Sequence, residues 1–391
     1  MTALTRLAVP LLALTLAGCA AGSGSAVGPT APGDTTTPGG GTTTGPTNVT
    51  YQFGAKFEPP AGRVVHGLGQ WKEYNLKYVP LLPAAHQPAS ELIFLSIADS
   101  LRPWNPAQIA AALAAMDALG RIPLVDIAPR GNQPFPAELA QLADPLYAID
   151  DEVANGTKWD SRLQDLVNVF KAFRKPVLAR IGGEFSGNWN GYHPYEYPKA
   201  FRKIVNMFRA AGVNNVAFVW CYEPAAPGDF DEQNASGAYK WYPGADVVDW
   251  FSIDFFAKGD ISGPTSAHNG LSAYGRTLKF LDMAVAAQKP VVIAESAPEQ
   301  FDLAKPAEAT AAWSEWFAPY FALIAGRPEI KWFTYVTYDW TQGSYYASQG
   351  WKNNDLAVSG PMVAQYAAEL AKPKYLHASE TSLLKDYALF K

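Results

Sequence analysis

The chain has 391 residues, sets 31 Lys and Arg against 36 Asp and Glu for a net charge of -5, and is 48% hydrophobic and 17% charged. With no Lys- or Arg-rich stripe, that mildly acidic balance argues against a nucleic-acid partner. The five histidines, at 66, 86, 193, 268 and 377, show neither i, i+4 nor alternating spacing, so the sequence predicts no metal site and no cofactor.

Residues 1–18 read as a targeting segment. Arg6 supplies a weak positive start, and the apolar run Leu7 to Ala17 is too short to span a bilayer as a stable anchor. The run ends in Leu16-Ala17-Gly18-Cys19, which resembles the bacterial lipobox. That resemblance implies cleavage before Cys19, acylation of its thiol, and a lipid anchor to the cell envelope; Ala20 points to the outer membrane. Residues 19–50 are Gly, Ser, Thr and Pro with few large apolar side chains, which predicts a flexible tether. With Cys19 acylated, Cys221 has no disulfide partner. Residues 51–391 then form one large domain, expected as a monomer.

Short apolar runs bounded by breakers predict eight strands, at Val64–Gln70, Leu92–Ala98, Ile122–Ala128, Pro176–Gly183, Asn215–Tyr222, Val248–Phe256, Pro290–Ser296 and Ile330–Tyr338. Apolar residues three and four apart predict helices over Pro106–Leu119, Ser161–Phe173, Tyr197–Ala211, Leu278–Gln288 and Thr310–Ile324. The connection between strands five and six reads as loop. This α/β alternation points to a (β/α)8 TIM barrel. A doubly wound open sheet is the alternative, but His66-Gly67-Leu68-Gly69-Gln70 is not the phosphate-binding glycine turn it would carry.

Barrels of this kind place their active residues at the C-terminal strand ends. Those ends carry His66, Gln70 and Trp71, then Asp126, Glu184, Tyr222-Glu223, Asp254, Glu295-Ser296 and Thr337-Tyr338-Asp339-Trp340. Two facing carboxylates, one acid/base and one nucleophile, are the minimal machinery for glycoside hydrolysis. Glu184 and Glu295 stand out because each closes an apolar strand ahead of a small or polar loop. Asp126 and Asp254 lie inside their strands, where an inward arginine is the commoner partner, and Glu223 competes from the end of strand five. Asn188, Trp189, Tyr192 and His193 follow Glu184 in an aromatic, amide-rich loop suited to sugar hydroxyls and rings.

Several segments resemble glycoside hydrolase family 26 within the retaining (β/α)8 hydrolases. They are Arg180 with Glu184 and Gly187-Asn188-Trp189, Trp241-Tyr242-Pro243-Gly244 with Val248-Asp249-Trp250 and Ile253-Asp254, and Pro290 to Ser296. The resemblance implies Glu184 as general acid/base, Glu295 as nucleophile, and Arg180 keeping the nucleophile ionised. It implies a β-linked polysaccharide as substrate, β-mannan or mixed-linkage β-glucan first, and a carboxyl separation near about 5–5.5 Å. Gly183 stands where the family usually has histidine, and Phe256 where it often has a tyrosine. The remaining candidates for sugar contact are His66, Trp71, Asn188, Trp189, His193, Tyr222, Glu223, Asp254 and Trp340, with Trp241 as a further platform and Trp220, inside its strand, better suited to the core. Competing readings are a non-catalytic polysaccharide-binding lipoprotein and a Schiff-base aldolase. The aldolase needs an inward lysine on strand six, and Val248–Phe256 has none.

Overall fold

The structure is a computed structural model and describes residues 49–98, 105–131 and 148–390. The targeting segment 1–18, the lipobox Cys19 and nearly all of the tether lie outside the described residues.

Eight parallel strands form the domain: β1 (Val64–Leu68), β2 (Ser90–Ala98), β3 (Ile122–Gly131), β4 (Val177–Glu184), β5 (Val216–Tyr222), β6 (Trp250–Phe255), β7 (Val291–Ser296) and β8 (Ile330–Tyr335). Each pairs with the next, and β8 pairs back onto β1 from Val65↔Trp332 to Leu68↔Tyr335, so the sheet closes. All eight predicted strands are present, and the fold is a (β/α)8 barrel. The seam between β1 and β2 is short, with Gly67↔Ser90 and Leu68↔Glu91 in register. Segment Tyr375–Leu376 adds a further short parallel pairing to β1.

Strand side chains alternate between two faces, and the barrel turns that alternation into two apolar layers. Val65, Leu92, Leu124, Leu178, Val219, Trp250, Val292 and Trp332 pack in one cluster that fills the interior. Val125, Ile127, Ala179, Ile181, Trp220, Phe251, Ile293 and Phe333 belong to the layer under the surrounding helices. At the bottom, the indole of Trp250 donates to the Lys56 carbonyl at 2.8 Å, and Phe57 packs edge-on against Phe390, so both ends of the described chain cap the barrel floor.

The predicted helices appear as Pro106–Ala118, Asp160–Phe173, Tyr197–Ala210 and Ala273–Ala286. The last runs from Pro306 to Gly326 through a π turn at Trp313–Phe317. Among the described residues five shorter α-helices were not read from the pattern, Lys72–Tyr78, Asp150–Asn155, Lys258–Ile261, Ser344–Ser348 and Gly360–Leu370. Between β5 and β6 the chain is mostly turns, as expected. Among the described residues no helix is long and apolar enough to cross a membrane.

Candidate active site

Two interruptions of strand register build the barrel mouth. Along β4 and β5 the pairing jumps from Arg180↔Val219 to Glu184↔Cys221, so β4 holds two extra residues. Gly182 and Gly183 absorb them at φ +85° and +54°, a left-handed region where a side chain is strained. A Cβ on Gly183 would also lie 3.1 Å from both Arg180 Nη2 and Asp126 Oδ2, so a histidine here would crowd that pair. Along β6 and β7 the pairing passes from Ile253↔Ile293 to Phe255↔Ser296, one extra residue on β7. Such a bulge re-aims side chains. Ser296 turns outward to Tyr320 and the Thr334 carbonyl, and Glu295 points into the mouth.

Arg180 organises what meets there. Its Nη1 donates to Glu295 Oε1 at 2.9 Å, its Nη2 lies 3.0 Å from Asp254 Oδ2, and its Nε lies 3.1 Å from Asp126 Oδ2. The arginine and both aspartates are fully buried. Asp254 also accepts the Glu295 backbone N–H at 2.8 Å, which fixes the strand as well as the charge. Burial drives the Asp126 carboxyl up to about 6 against the pull of Arg180, and it drives Asp254 well above its ordinary value. For Arg180, burial works toward a lower pKa, but Asp254, Glu295 and Asp126 outweigh it and the guanidinium stays charged. Asp126 and Asp254 are thus structural partners of an inward arginine, and for Asp254, wholly buried, this corrects the expected sugar contact.

Glu184 faces this group from β4. Its Oε2 accepts the indole N–H of Trp189 at 2.5 Å, and its carbonyl accepts the Asn190 amide at 2.8 Å. Arg130 in turn bonds Asn190 Oδ1, bracing the loop. Enclosure, and then the negative charge of Glu295, raise the Glu184 carboxyl to about 7, while Arg180 and the Trp189 bond work the other way. Carboxylate oxygens of Glu184, Asp254 and Glu295 come within 4.8 Å of one another. The Arg180 guanidinium already lies against Asp254 and Glu295 in that group. Asp150, Asp151 and His193 form a second group of that kind.

The other sequence candidates divide. Trp71 is half-buried and stacks on Tyr338 at 4.0 Å, in an aromatic group with Phe256, Trp340, Tyr346 and Trp351 beside the mouth. Asn188 is exposed at the loop tip. Glu223 caps its own turn, accepting the Ala225 and Ala226 N–H groups at 2.8 and 3.2 Å; burial, with Asp260 and Glu184 adding to it, raises its carboxyl. His193 is tied to Asp150, its ring at 2.7 Å and its backbone N–H at 2.9 Å.

Three further expectations are corrected. His66 faces outward from β1, is wholly buried against Phe333, Tyr366 and His377, and cannot touch a sugar. Tyr222 also faces the helices, packing on Phe280 with its hydroxyl on the Ala226 carbonyl. Trp340 is only 2% exposed, closed in by Phe256, Tyr338, Tyr346 and Trp351, so it stiffens the wall and offers no open face. Trp220 and Trp241 are likewise core residues. One contact was missed: Gln70, just past β1, donates its amide N–H to Glu295 Oε2 at 3.2 Å. Its place among polar residues at a strand end was the available signal.

Residues 148–312, which span β4 to β7 and both glutamates, match the family model for glycosyl hydrolase family 26. The chain is 28% identical over 284 residues to a β-1,3-xylanase of a Vibrio species, across 67% of this chain and 56% of that protein. It is 28% identical over 256 residues to a β-1,3-xylanase of an Alcaligenes species, across 60% of this chain and 50% of that one. The chain thus spans about half the length of these relatives. Among solved structures, the modular endo-β-1,4-mannanase of Cellulomonas fimi matches with TM-score 0.52 at 18% identity, over 82% of this chain and 73% of that one. The catalytic domain of a Bacillus sp. JAMB-750 endo-β-1,4-mannanase matches with TM-score 0.53 at 15% identity, over 84% and 90%. The sequence match falls on the segment that carries the two facing glutamates, and the solved structures share the barrel beneath it: residues 148–312 are a glycosyl hydrolase family 26 match on a (β/α)8 barrel.

Proposed function

We propose that the domain is a retaining β-glycanase with Glu184 as general acid/base and Glu295 as nucleophile. The observation that carries this reading is the close approach of the two carboxylates, with oxygens within 4.8 Å. Retaining enzymes separate these groups by about 5–5.5 Å, whereas inverting enzymes need about 6.5–9.5 Å to seat a water between them. The environments differ in the sense the chemistry requires. Glu184, raised to about 7 by enclosure and by its neighbour's charge, holds a proton for the leaving oxygen near neutral pH. Glu295, held by Arg180 at 2.9 Å, presents a carboxylate to the anomeric carbon.

In the first half-reaction the Glu184 proton passes to the glycosidic oxygen while a Glu295 oxygen bonds to C1 and the leaving chain departs. In the second, Glu184 takes a proton from water, the water oxygen bonds to C1, and the C1–Glu295 bond breaks with its electron pair returning to the carboxylate. The sequence relatives carry the name β-1,3-xylanase at higher identity than the mannanase structures, which favours β-1,3-xylan first and β-mannan second.

The test is hydrolysis of β-1,3-xylan, β-1,4-mannan and mixed-linkage β-glucan by the purified domain, with stereochemistry followed by NMR. Expected results are a β product first formed from the β-linked chain and loss of turnover in Glu184→Gln and Glu295→Gln. Binding in all three proteins without turnover in any would instead make this a polysaccharide-binding protein. Lipidation of Cys19 and anchoring to the outer envelope are part of the same proposal, and labelling with a fatty-acid analogue, lost in Cys19→Ala, would test them.

A further inference from the structure

Glu295 has a donor for each oxygen. Arg180 takes Oε1 at 2.9 Å, and Gln70 takes Oε2 at 3.2 Å. An ionised carboxylate only accepts hydrogen bonds, so the Gln70 amide must turn its NH2 and not its oxygen toward Glu295. Among the described residues this is the one hydrogen bond of the Gln70 side chain, whose own Oε1 is buried without a partner. The amide is therefore not held by structural bonds elsewhere.

Its backbone, by contrast, is pinned. The Gly69 N–H donates to the Tyr335 carbonyl at 2.8 Å, and the Gly69 carbonyl accepts from the Asn75 amide at 2.8 Å. A Cβ on Gly69 would lie 2.8 Å from the Val336 Cα, so only glycine lets β1 run this close to the end of β8. The chain is thus fixed one residue before Gln70, with its amide aimed at Glu295.

We propose that Gln70 is the positioning residue for the nucleophile, orienting Oε2 for attack and stabilising the charge that returns to it. The proposal rests on Glu295 being the nucleophile. Arg180 holds Oε1 with a charge-assisted bond, while Oε2, bonded to the neutral Gln70 amide, keeps its second lone pair to form the bond to C1. In the second half-reaction water adds to C1 and gives its proton to Glu184. The C1–Oε2 bond breaks, and its electron pair restores the carboxylate that Gln70 and Arg180 receive. A hydrogen bond to a carboxylate is stronger than one to an ester, so Gln70 favours departure of the sugar more than its capture.

The experiment uses the full chain and the 2,4-dinitrophenyl β-glycosides of xylobiose and mannobiose, whose leaving group makes the second step limiting. Gln70→Ala should lower kcat by about 10- to 100-fold and lower KM with it. A burst of dinitrophenol close to one equivalent per enzyme should precede the steady state. Gln70→Glu, of the same shape, should recover activity only at acid pH, where its carboxyl is protonated and can donate. Wild-type kinetics in Gln70→Ala, or a lower kcat with unchanged KM and no burst, would overturn the proposal. Should the parent enzyme cleave none of the substrates, the hydrolase reading fails by itself. The crystal structure of Gln70→Ala then decides the positioning role: a Glu295 carboxylate that has left its place supports it, and one that has not moved overturns it.

Discussion

Arg180 and Glu295 lie 115 residues apart in sequence and meet at 2.9 Å across the barrel mouth. The same guanidinium reaches Asp126 on β3 and Asp254 on β6, so one positive charge joins four strands at the level where the chemistry is proposed to occur. Fold and site share this device.

Removing that charge should be severe. Arg180→Met leaves three carboxyl groups facing one another without a cation, two of them fully buried. Breaking a buried pair from one side costs about 3–5 kcal/mol. Urea unfolding should show a loss of that order, and hydrolysis should vanish even where the protein remains folded. A variant as stable as the parent would show that the ion cluster does not hold the mouth together.

The pH profile should report Glu184. Its carboxyl is raised to about 7 and must be protonated to act as the acid, so the rate should fall as pH rises through that value. The Trp189 N–H favours the ionised form and lowers the pKa. Trp189→Phe removes the donor, so the pKa should rise further and the alkaline limb should move to higher pH. A limb displaced toward acid would refute this account of the loop.

Gly183 is expected to resist substitution. Its φ of +54° costs a side chain about 1–2 kcal/mol, and an added Cβ would press on the Arg180–Asp126 pair. Gly183→Ala should lower Tm measurably and cut kcat more than it raises KM, because Arg180 is displaced. An unchanged Tm together with an unchanged kcat would mean that β4 can relax around the new methyl group.

His66 offers the complementary case. Buried outside the barrel, it is held well below its ordinary pKa by its burial and then by His377, Arg121 and His86. The folded state therefore binds fewer protons than the unfolded state once pH drops below about 6.5, and stability should fall from there downward. His66→Leu removes that term without touching the mouth. Its Tm at pH 5 should approach its Tm at pH 7 more closely than in the parent, with kcat retained. A parallel acid sensitivity in both proteins would place the effect elsewhere.

The strands, the longest helices and the two glutamates that close strands four and seven were legible in the chain itself. An apolar run closed by Gly-Gly before Glu184, or by Ser296 after Glu295, is a local signal that needs no neighbour to interpret it. Which face a strand residue takes is another matter. His66 and Tyr222 sit on strands β1 and β5 and point to the helices, because side-chain direction follows strict alternation and the barrel decides which side is inside. Glu184 and Glu295 reach the mouth only through register shifts of two residues on β4 and one on β7, which exist only once β5 and β6 lie alongside. The sequence by itself determined a β/α barrel with an acidic residue closing its fourth and seventh strands. Closure alone decided that Arg180 would gather Asp126, Asp254 and Glu295, that Gln70 would meet the same carboxylate, and that Trp340 would be walled in, since such contacts join residues that strand pairing, and not chain spacing, makes neighbours.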